Sequence, residues 1–470
     1  MTRPGPSGVS SLEQVEAILR NPAVYELAKL IPDAMPERGG RRRAYPGYML
    51  IVWEALISVF RSSRRVEAEL AHPLVWSLVR RVVREMLPRD MSQWLPEAPM
   101  RRHHYLYGRD HLLLPIRGLL RDQLEAIASE QAVSELGLCH PNGPGSLTHP
   151  DLSRMLHADG KVVTPLWRAK PAKRRADRRT GEMRSRRVED DAALHITGSG
   201  EPAWGTKHVL VATRGTGVHE RMIVSVAPVE EVGNEAQVAL ACIARLAPHL
   251  PGAQGVIYDG AFRGVHILEL LHQRGLLPVV PVQAESGGRR TRRRRTERTV
   301  LVGPGSIRRP DHTVKDCMLY ARAGALCLAE LDADGNPFTI PLARTRIQPR
   351  RNADGTWRWY GLYTVPLTAG GGTIRVRLDT TREDRKRRFN RCEYLRPIPP
   401  RDPDFARLYP RRFDAESINR ALDDSSWLGR AHSVGRDRQL LNLIGYALSV
   451  NSLALHRHRR ALRHPGRVAA

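Results

Sequence analysis

The chain has 470 residues, with 75 Lys plus Arg against 49 Asp plus Glu and a formal net charge of +26. Hydrophobic residues make up 41% and charged residues 26%, enough apolar matter for a core, which excludes wholesale disorder. The longest apolar run, residues 48–60, contains Glu54 and falls short of the roughly 20 residues that span a bilayer, so no membrane role is expected. The first eight residues carry no apolar leader, and a cytoplasmic location is expected. The five cysteines form no C-x-x-C pair, which speaks against a zinc ribbon or a disulfide framework. A surface this basic repels itself and calls for a polyanion, and nucleic acid is the usual one.

Residues 1–140 read as an all-α N-terminal domain. Ser10-x-x-Glu13 has capping-box spacing, and Asn21-Pro22 is a cap followed by a first-turn proline. Residues 66–86 carry Leu70, Leu74, Leu78 and Val82 at i+4 spacing and predict one helix with an arginine face. The ordinary account of such a helix is core packing with solvated charges; the other is contact with DNA. The Gly/Pro-rich residues 140–146 mark a boundary.

Strands are then expected at 155–166, 192–196, 208–213, 222–226, 255–258 and 277–282, with helices at 234–250 and 265–274. Basic stretches at 168–187 and 289–298 interrupt this pattern, and we expect them to flank a DNA groove. Residues 311–380 are β-rich, with Asp334-Gly335 and Asp354-Gly355 as hairpin turns and Trp357 and Trp359 alternating on one strand. Closing helices are expected at 414–422 and 440–455. Three strands feeding an α/β unit, with a last helix far downstream, is the ribonuclease H-like order: a mixed sheet with helices, interrupted by a β-rich insertion. The expected domains are 1–140 (helical, DNA-binding), 150–288 (core, first part), 289–400 (basic segment and β-rich insertion) and 401–460 (closing core helices).

Two carboxylates stand out in this basic chain. Asp159 follows the apolar Met155-Leu-His-Ala, and Asp259 follows Val256-Ile-Tyr. In the order above their strands are neighbours. Taken singly, each Asp-Gly is an ordinary turn signal. As a pair they suit two-metal phosphoryl chemistry, which gathers carboxylates around two Mg²⁺ ions about 3.5–4 Å apart. Hard Mg²⁺ takes oxygen ligands. A third acid, Glu416, is expected from a closing helix.

Tyr409-x2-Arg412-x3-Glu416 resembles the first three letters of the Y-x2-R-x3-E-x6-K signature of a large group of bacterial insertion-sequence transposases with a DDE active site. The Lys position is Asp423 here, and Arg420, one helical turn after Glu416, is a substitute cation. The resemblance covers residues 152–459. It implies a transposase that cuts and joins double-stranded DNA at element ends, as a homo-oligomer on DNA associated with the nucleoid. It also implies Asp159, Asp259 and Glu416 as ligands of two Mg²⁺ ions, for which Mn²⁺ can substitute. Tyr409 and Arg412 would contact phosphate, as bidentate Arg does well. Lys207 and His208 are further candidate phosphate contacts. Trp357 and Trp359 would either pack the insertion's own core or stack on a flipped base.

Two rivals remain at this level: a transposase-derived DNA-binding protein without catalysis, and a ribonuclease H-like nuclease of branched DNA. A G-x-S-x-G elbow, a P-loop and a G-x-G-x-x-G turn after the first strand are all absent from the sequence.

Overall fold

The computed structural model describes residues 9–32, 43–167, 175–176, 181, 183–184, 189–196, 201–217, 219–282, 298–426 and 428–463. The basic stretches 168–187 and 289–298 therefore lie largely outside the described residues. In chain order come α1 (Ser11–Leu19), α2 (Pro22–Ala28), α3 (Tyr48–Phe60), α4 (Ser63–Leu70), α5 (Pro73–Met86), α6 (Arg102–Gly108) and α7 (Arg117–Ser134). Next are β1 (Met155–Val163), β2 (Arg175–Ala176), β3 (Met183–Arg184), β4 (Ala193–Ile196), β5 (Pro202–Arg214), β6 (Arg221–Val229), α8 (Glu235–Leu246), β7 (Gly255–Ile257), α9 (Gly264–Glu269) and β8 (Leu277–Val279). Then follow β9 (Val300–Arg308), β10 (Val314–Arg322), β11 (Ala325–Leu331), β12 (Pro337–Pro341), β13 (Ala343–Arg351), β14 (Trp357–Thr364) and β15 (Thr373–Arg377). The closing helices are α10 (Arg382–Lys386), α11 (Arg391–Tyr394), α12 (Pro403–Leu408), α13 (Phe413–Ser425) and α14 (Arg436–Arg463). The architecture is mixed α/β.

Both caps form, although the Glu13 carboxylate pairs with Arg460 rather than completing a capping box. Ser10 Oγ accepts from the Glu13 amide at 3.2 Å, and Asn21 Oδ1 accepts from Ala23 N at 3.0 Å with Pro22 in the first turn. The single helix expected over residues 66–86 is instead two, α4 and α5. Pro73 has no amide to continue the first helix, and His72 Nδ1 caps the second by accepting from Leu74 N at 3.3 Å. The apolar spacing runs through this break and hides it.

The chain divides into two compact units that interleave in sequence. The first comprises Met1–Gly137, Gly160–Val238 and Glu416–Ala470; the second comprises Leu138–Asp159 and Ala239–Ala415. The division falls inside β1, α8 and α13.

In the first unit α3 and α14 cross at Gly445, where a Cβ would run into the Glu54 carbonyl. Nearly every residue of α3 is buried, which is why its sequence is apolar all round. The carboxylate of Glu54 is buried with it and accepts from Tyr105 Oη at 2.8 Å and Asn442 Nδ2 at 2.9 Å. Burial pushes its pKa up to about 7, against the pull of these hydrogen bonds. β5 and β6 pair antiparallel, and on β6 the Ile223 N–H and carbonyl are both held by Asn451 of α14 at 2.8 Å. Asn21 ties three elements together, donating to Ser452 Oγ at 2.9 Å and accepting from Gln131 Nε2 at 2.8 Å.

In the second unit β1, β7 and β8 run parallel in that order, and a seven-stranded sheet follows the order β12-β11-β10-β9-β15-β14-β13. One face of that sheet is apolar and buried: Ile307, Leu319, Ile347, Trp359, Tyr363, Ile374 and Val376. Trp359 is fully enclosed, and its Nε1 donates to the Leu271 carbonyl at 2.6 Å. It is a core residue and has no face to offer a base. Trp357 is half-buried, with Arg351 5.7 Å from its ring centroid.

Candidate active site

The parallel pair β1–β7 carries both expected aspartates. Its register matches Met155 with Gly255, Leu156 with Val256 and His157 with Ile257. The pairing ends at His157 and Ile257, and Asp159 and Asp259 each follow two residues further along the chain. Met155, Leu156, Ala158, Val256, Ile257 and Tyr258 are all buried, as expected of parallel strands covered on both faces. Each aspartate is the first half-buried residue after a buried run, Asp159 within β1, which continues to Val163, and Asp259 just past the end of β7. Adjacent paired parallel strands lie about 4.8 Å apart.

Local contacts fix Asp259. Its Oδ1 accepts from the Ala261 amide at 2.8 Å, which closes the turn after the strand. Tyr258 and Phe262 stack beneath it with ring centroids 4.0 Å apart. Arg412 Nη1 lies 4.0 Å from Asp259 Oδ2, so the second letter of the signature reaches the second aspartate. Tyr409 stacks on Phe405, with centroids 4.6 Å apart and planes 19° from parallel.

In the first unit, the continuation of β1 and the helix α13 carry the other candidates. Ile418 and Leu422 pack into the core, and Tyr446 Oη donates to the Ile418 carbonyl at 2.7 Å. Glu416, Arg420 and Asp423 follow i, i+4, i+7 spacing and share another face of that helix. Glu416 is half-buried; Arg420 is exposed. Asp423 Oδ2 accepts from Lys161 Nζ at 2.5 Å. Lys161 follows Asp159 by two residues and so lies on the same side of the strand.

Lys207 ion-pairs with Glu235, and the Glu235 carboxyl packs against the backbone of Gly160, leaving no room for a Cβ there. His208 is fully buried, and desolvation, aided by the charge of Arg436, pushes its pKa down to about 3. A neutral, enclosed imidazole has nothing to offer a phosphate, which removes His208 from the set of DNA contacts. β5 is covered on both faces here, and Lys207 keeps only 14% of its side chain exposed. Lys161 and Glu235 were missed in the sequence. The signal for Lys161 was its period-2 spacing from Asp159. Glu235 had only its position in the first turn of α8.

The candidate donors are carboxylate oxygens, Asp159 and Asp259 in the second unit and Glu416 and Glu235 in the first, the type that suits a hard divalent cation. Among the described residues, no group of three or more His, Cys, Asp or Glu is gathered closely enough to hold a metal ion. No described helix is long and apolar enough to cross a membrane.

Residues 187–452 match the family described as Transposase DDE domain. That stretch includes Asp259, Arg412 and Glu416 and begins after Asp159. No curated protein matches the chain.

Proposed function

Because the chain belongs to the DDE-domain transposase family, we propose that it is a DNA transposase of the bacterial insertion-sequence kind, cutting and joining DNA at element ends by two-metal phosphoryl transfer. The observation that carries the reading is that Asp159 and Asp259 each follow the paired segments of two adjacent parallel strands by two residues, with Arg412 beside the second. In this reading the fold is ribonuclease H-like, with the seven-stranded sheet as an insertion and the N-terminal helices as a DNA-binding region.

Asp159, Asp259 and Glu416 would hold two Mg²⁺ ions, or Mn²⁺ in their place. The metals would supply Lewis acidity at the scissile phosphate and an activated attacking oxygen. The protein groups do the rest. The hydrogen bond from Ala261 orients Asp259 before metal arrives. Arg412 binds phosphate bidentately, with Tyr409 held in place by its stack on Phe405. Arg420 offers an exposed cation on the helix face that bears Glu416. Lys161 brings an ammonium beside Asp423, at the position of the signature's last letter, as a close to neutral pair. The presence of all three acids favours an active enzyme over a decayed, purely DNA-binding relative. The protein works as a homo-oligomer on double-stranded DNA, in the cytoplasm at the nucleoid.

The test compares wild type with Glu416→Gln on a labelled duplex carrying the inverted repeat that flanks the gene, in Mg²⁺ and in chelator, alongside a gel shift. Metal-dependent cleavage by wild type only, with equal binding by both, is expected. Equal cleavage by both proteins refutes the role of Glu416, and binding without cleavage by either points to the DNA-binding protein.

A further inference from the structure

The seven-stranded sheet has a second face. Its buried side takes every other residue of β13, β14 and β15, so the residues between them face outward. On that outward side Arg350 pairs with Arg358, Gln348 with Tyr360, and Arg346 with Leu362, while Leu362 in turn pairs with Arg375. One strand further on, Arg308 pairs with Thr373. Arg308, Arg346, Arg350, Arg358 and Arg375 are exposed, and among the described residues no ion pair joins any of them to a carboxylate. Arg377, also on this face, is neutralised by Asp379 at 2.6 Å. An unpaired cluster of five guanidinium groups on one sheet face repels itself. No packing role accounts for it, because the core lies on the other side.

The surface is shaped as well as charged. A cleft of about 640 Å³ opens over it, lined by Ser146, Thr148, Arg346, Arg350, Tyr360 and Arg375. The 146–148 wall is fixed to the sheet edge: Thr148 Oγ1 accepts from Ile347 N at 3.1 Å, and its carbonyl accepts from Arg344. Arg375 lies over the Tyr360 ring, 4.2 Å from its centroid. A guanidinium plane already stacked on an aromatic ring is a platform on which a base can continue the stack. Arg346 and Arg350, about 14 Å apart along the strand, lie on the same side to take phosphates.

We propose that this face is a track for single-stranded DNA, with one nucleotide seated in the cleft on the Arg375–Tyr360 stack and its neighbours' phosphates held by Arg346, Arg350 and Arg358. A duplex keeps its bases stacked inside and cannot seat one in such a cleft; a single strand presents phosphate and base together. The inference rests on DNA as substrate, and strand cleavage would supply the unpaired strand. It does not depend on the catalytic assignments.

The experiment measures binding of the full chain to a fluorescent 12-nucleotide single strand and to a 12-base-pair duplex, by anisotropy in chelator so that no cleavage occurs. Arg346→Ser/Arg350→Ser/Arg375→Ser should weaken single-strand binding at least tenfold. It should also lower the salt slope by about 1.4, at roughly 0.7 for each of the two phosphate contacts, Arg346 and Arg350, while duplex affinity stays within about twofold. Tyr360→Leu should weaken single-strand binding about tenfold with the slope unchanged, since stacking carries no counterion release. An unchanged single-strand affinity and slope in the triple variant overturns the proposal. So does an equal loss for both DNAs, which would make the face a duplex contact. Wild-type binding that passes these tests with no cleavage in Mg²⁺ would leave the track standing while the catalytic reading fails.

Discussion

Arg412 and Asp259 stand 4.0 Å apart at the limit of an ion pair, with 25% and 29% of their side chains exposed. One is a signature residue at the entry to α13, and the other closes a buried parallel strand. Nothing in their spacing along the chain joins them. The guanidinium lies where it can turn from carboxylate to phosphate, since both accept the same planar fork.

Arg412→Ala should therefore lower both end binding and cleavage. The expected loss in cleavage rate is about 100-fold or more, the scale on which single electrostatic contacts to a transferring group act. Arg412→Lys keeps the charge but not the fork and should fall between wild type and Ala. Single-turnover cleavage and a gel shift on the same DNA check both. A loss of cleavage with undiminished binding would place Arg412 at the metal ligands rather than at phosphate.

Asp423 and Lys161 provide a second test. Their ion pair is partly exposed, 49% and 19% by side chain, so breaking it should change stability by no more than about 1 kcal/mol. Asp423→Lys restores the signature letter but sets two lysines against each other, and should not raise cleavage. Adding Lys161→Asp to it reverses the pair and should recover the lost stability. Urea unfolding of the two singles and the double reads the coupling; additive effects would mean the contact carries no interaction energy.

Stability should respond to pH through Glu54 and His208, in opposite directions. The Glu54 pKa is raised from 4.5 to about 7 in the fold, so below pH 4.5 both folded and unfolded states are protonated. As pH rises from 4.5 to 7, the unfolded chain ionises first and stability falls, by about 3 kcal/mol in order of magnitude. The His208 pKa is lowered from 6.5 to about 3, so the unfolded chain takes up its proton first and stability falls as pH drops below 6.5. Glu54→Gln should flatten the first slope and His208→Leu the second. His208→Leu should also leave DNA affinity and its salt slope unchanged. Denaturant midpoints from pH 4 to 8 measure the slopes.

Asn451→Leu should cost about 2–6 kcal/mol. It leaves the Ile223 N–H and carbonyl unsatisfied in a buried site, at about 1–3 kcal/mol for each group. Gly445→Ala should cost about 1–3 kcal/mol by forcing α3 and α14 apart. Thermal unfolding of each variant checks the figures, and an unchanged midpoint for Gly445→Ala would mean the crossing can relax.

The strands bearing Asp159 and Asp259 were legible because a run buried on both faces leaves an unbroken apolar stretch that the acid ends. Ser10 and Asn21 were legible because caps act within one turn. The break at Pro73 was hidden because apolar spacing continues across it. His208 looked like a surface residue because the charged Lys207 stands beside it, but β5 is covered on both faces and even Lys207 is largely enclosed in its pair with Glu235. The pairings of Lys161 with Asp423 and of Arg412 with Asp259 link residues more than 150 positions apart, and no local pattern encodes them. The outward arginines of β13 to β15 were visible individually, but they became one surface only once the register was known.

Thr148 was described as the wall of a cleft, and it also shields the sheet. β13 is an edge strand, and an edge strand presents unpaired backbone groups to any passing chain. The Thr148 hydroxyl occupies the Ile347 N–H at 3.1 Å, and Pro349 two residues on has no N–H to give. The opposite edge, β12, begins and ends with Pro337 and Pro341. Both rims of a seven-stranded sheet are thus closed to strand addition. Copies brought close together at high concentration are guarded against fusing edge to edge into aggregates, so the sheet's broad faces remain the surfaces through which it can meet other molecules.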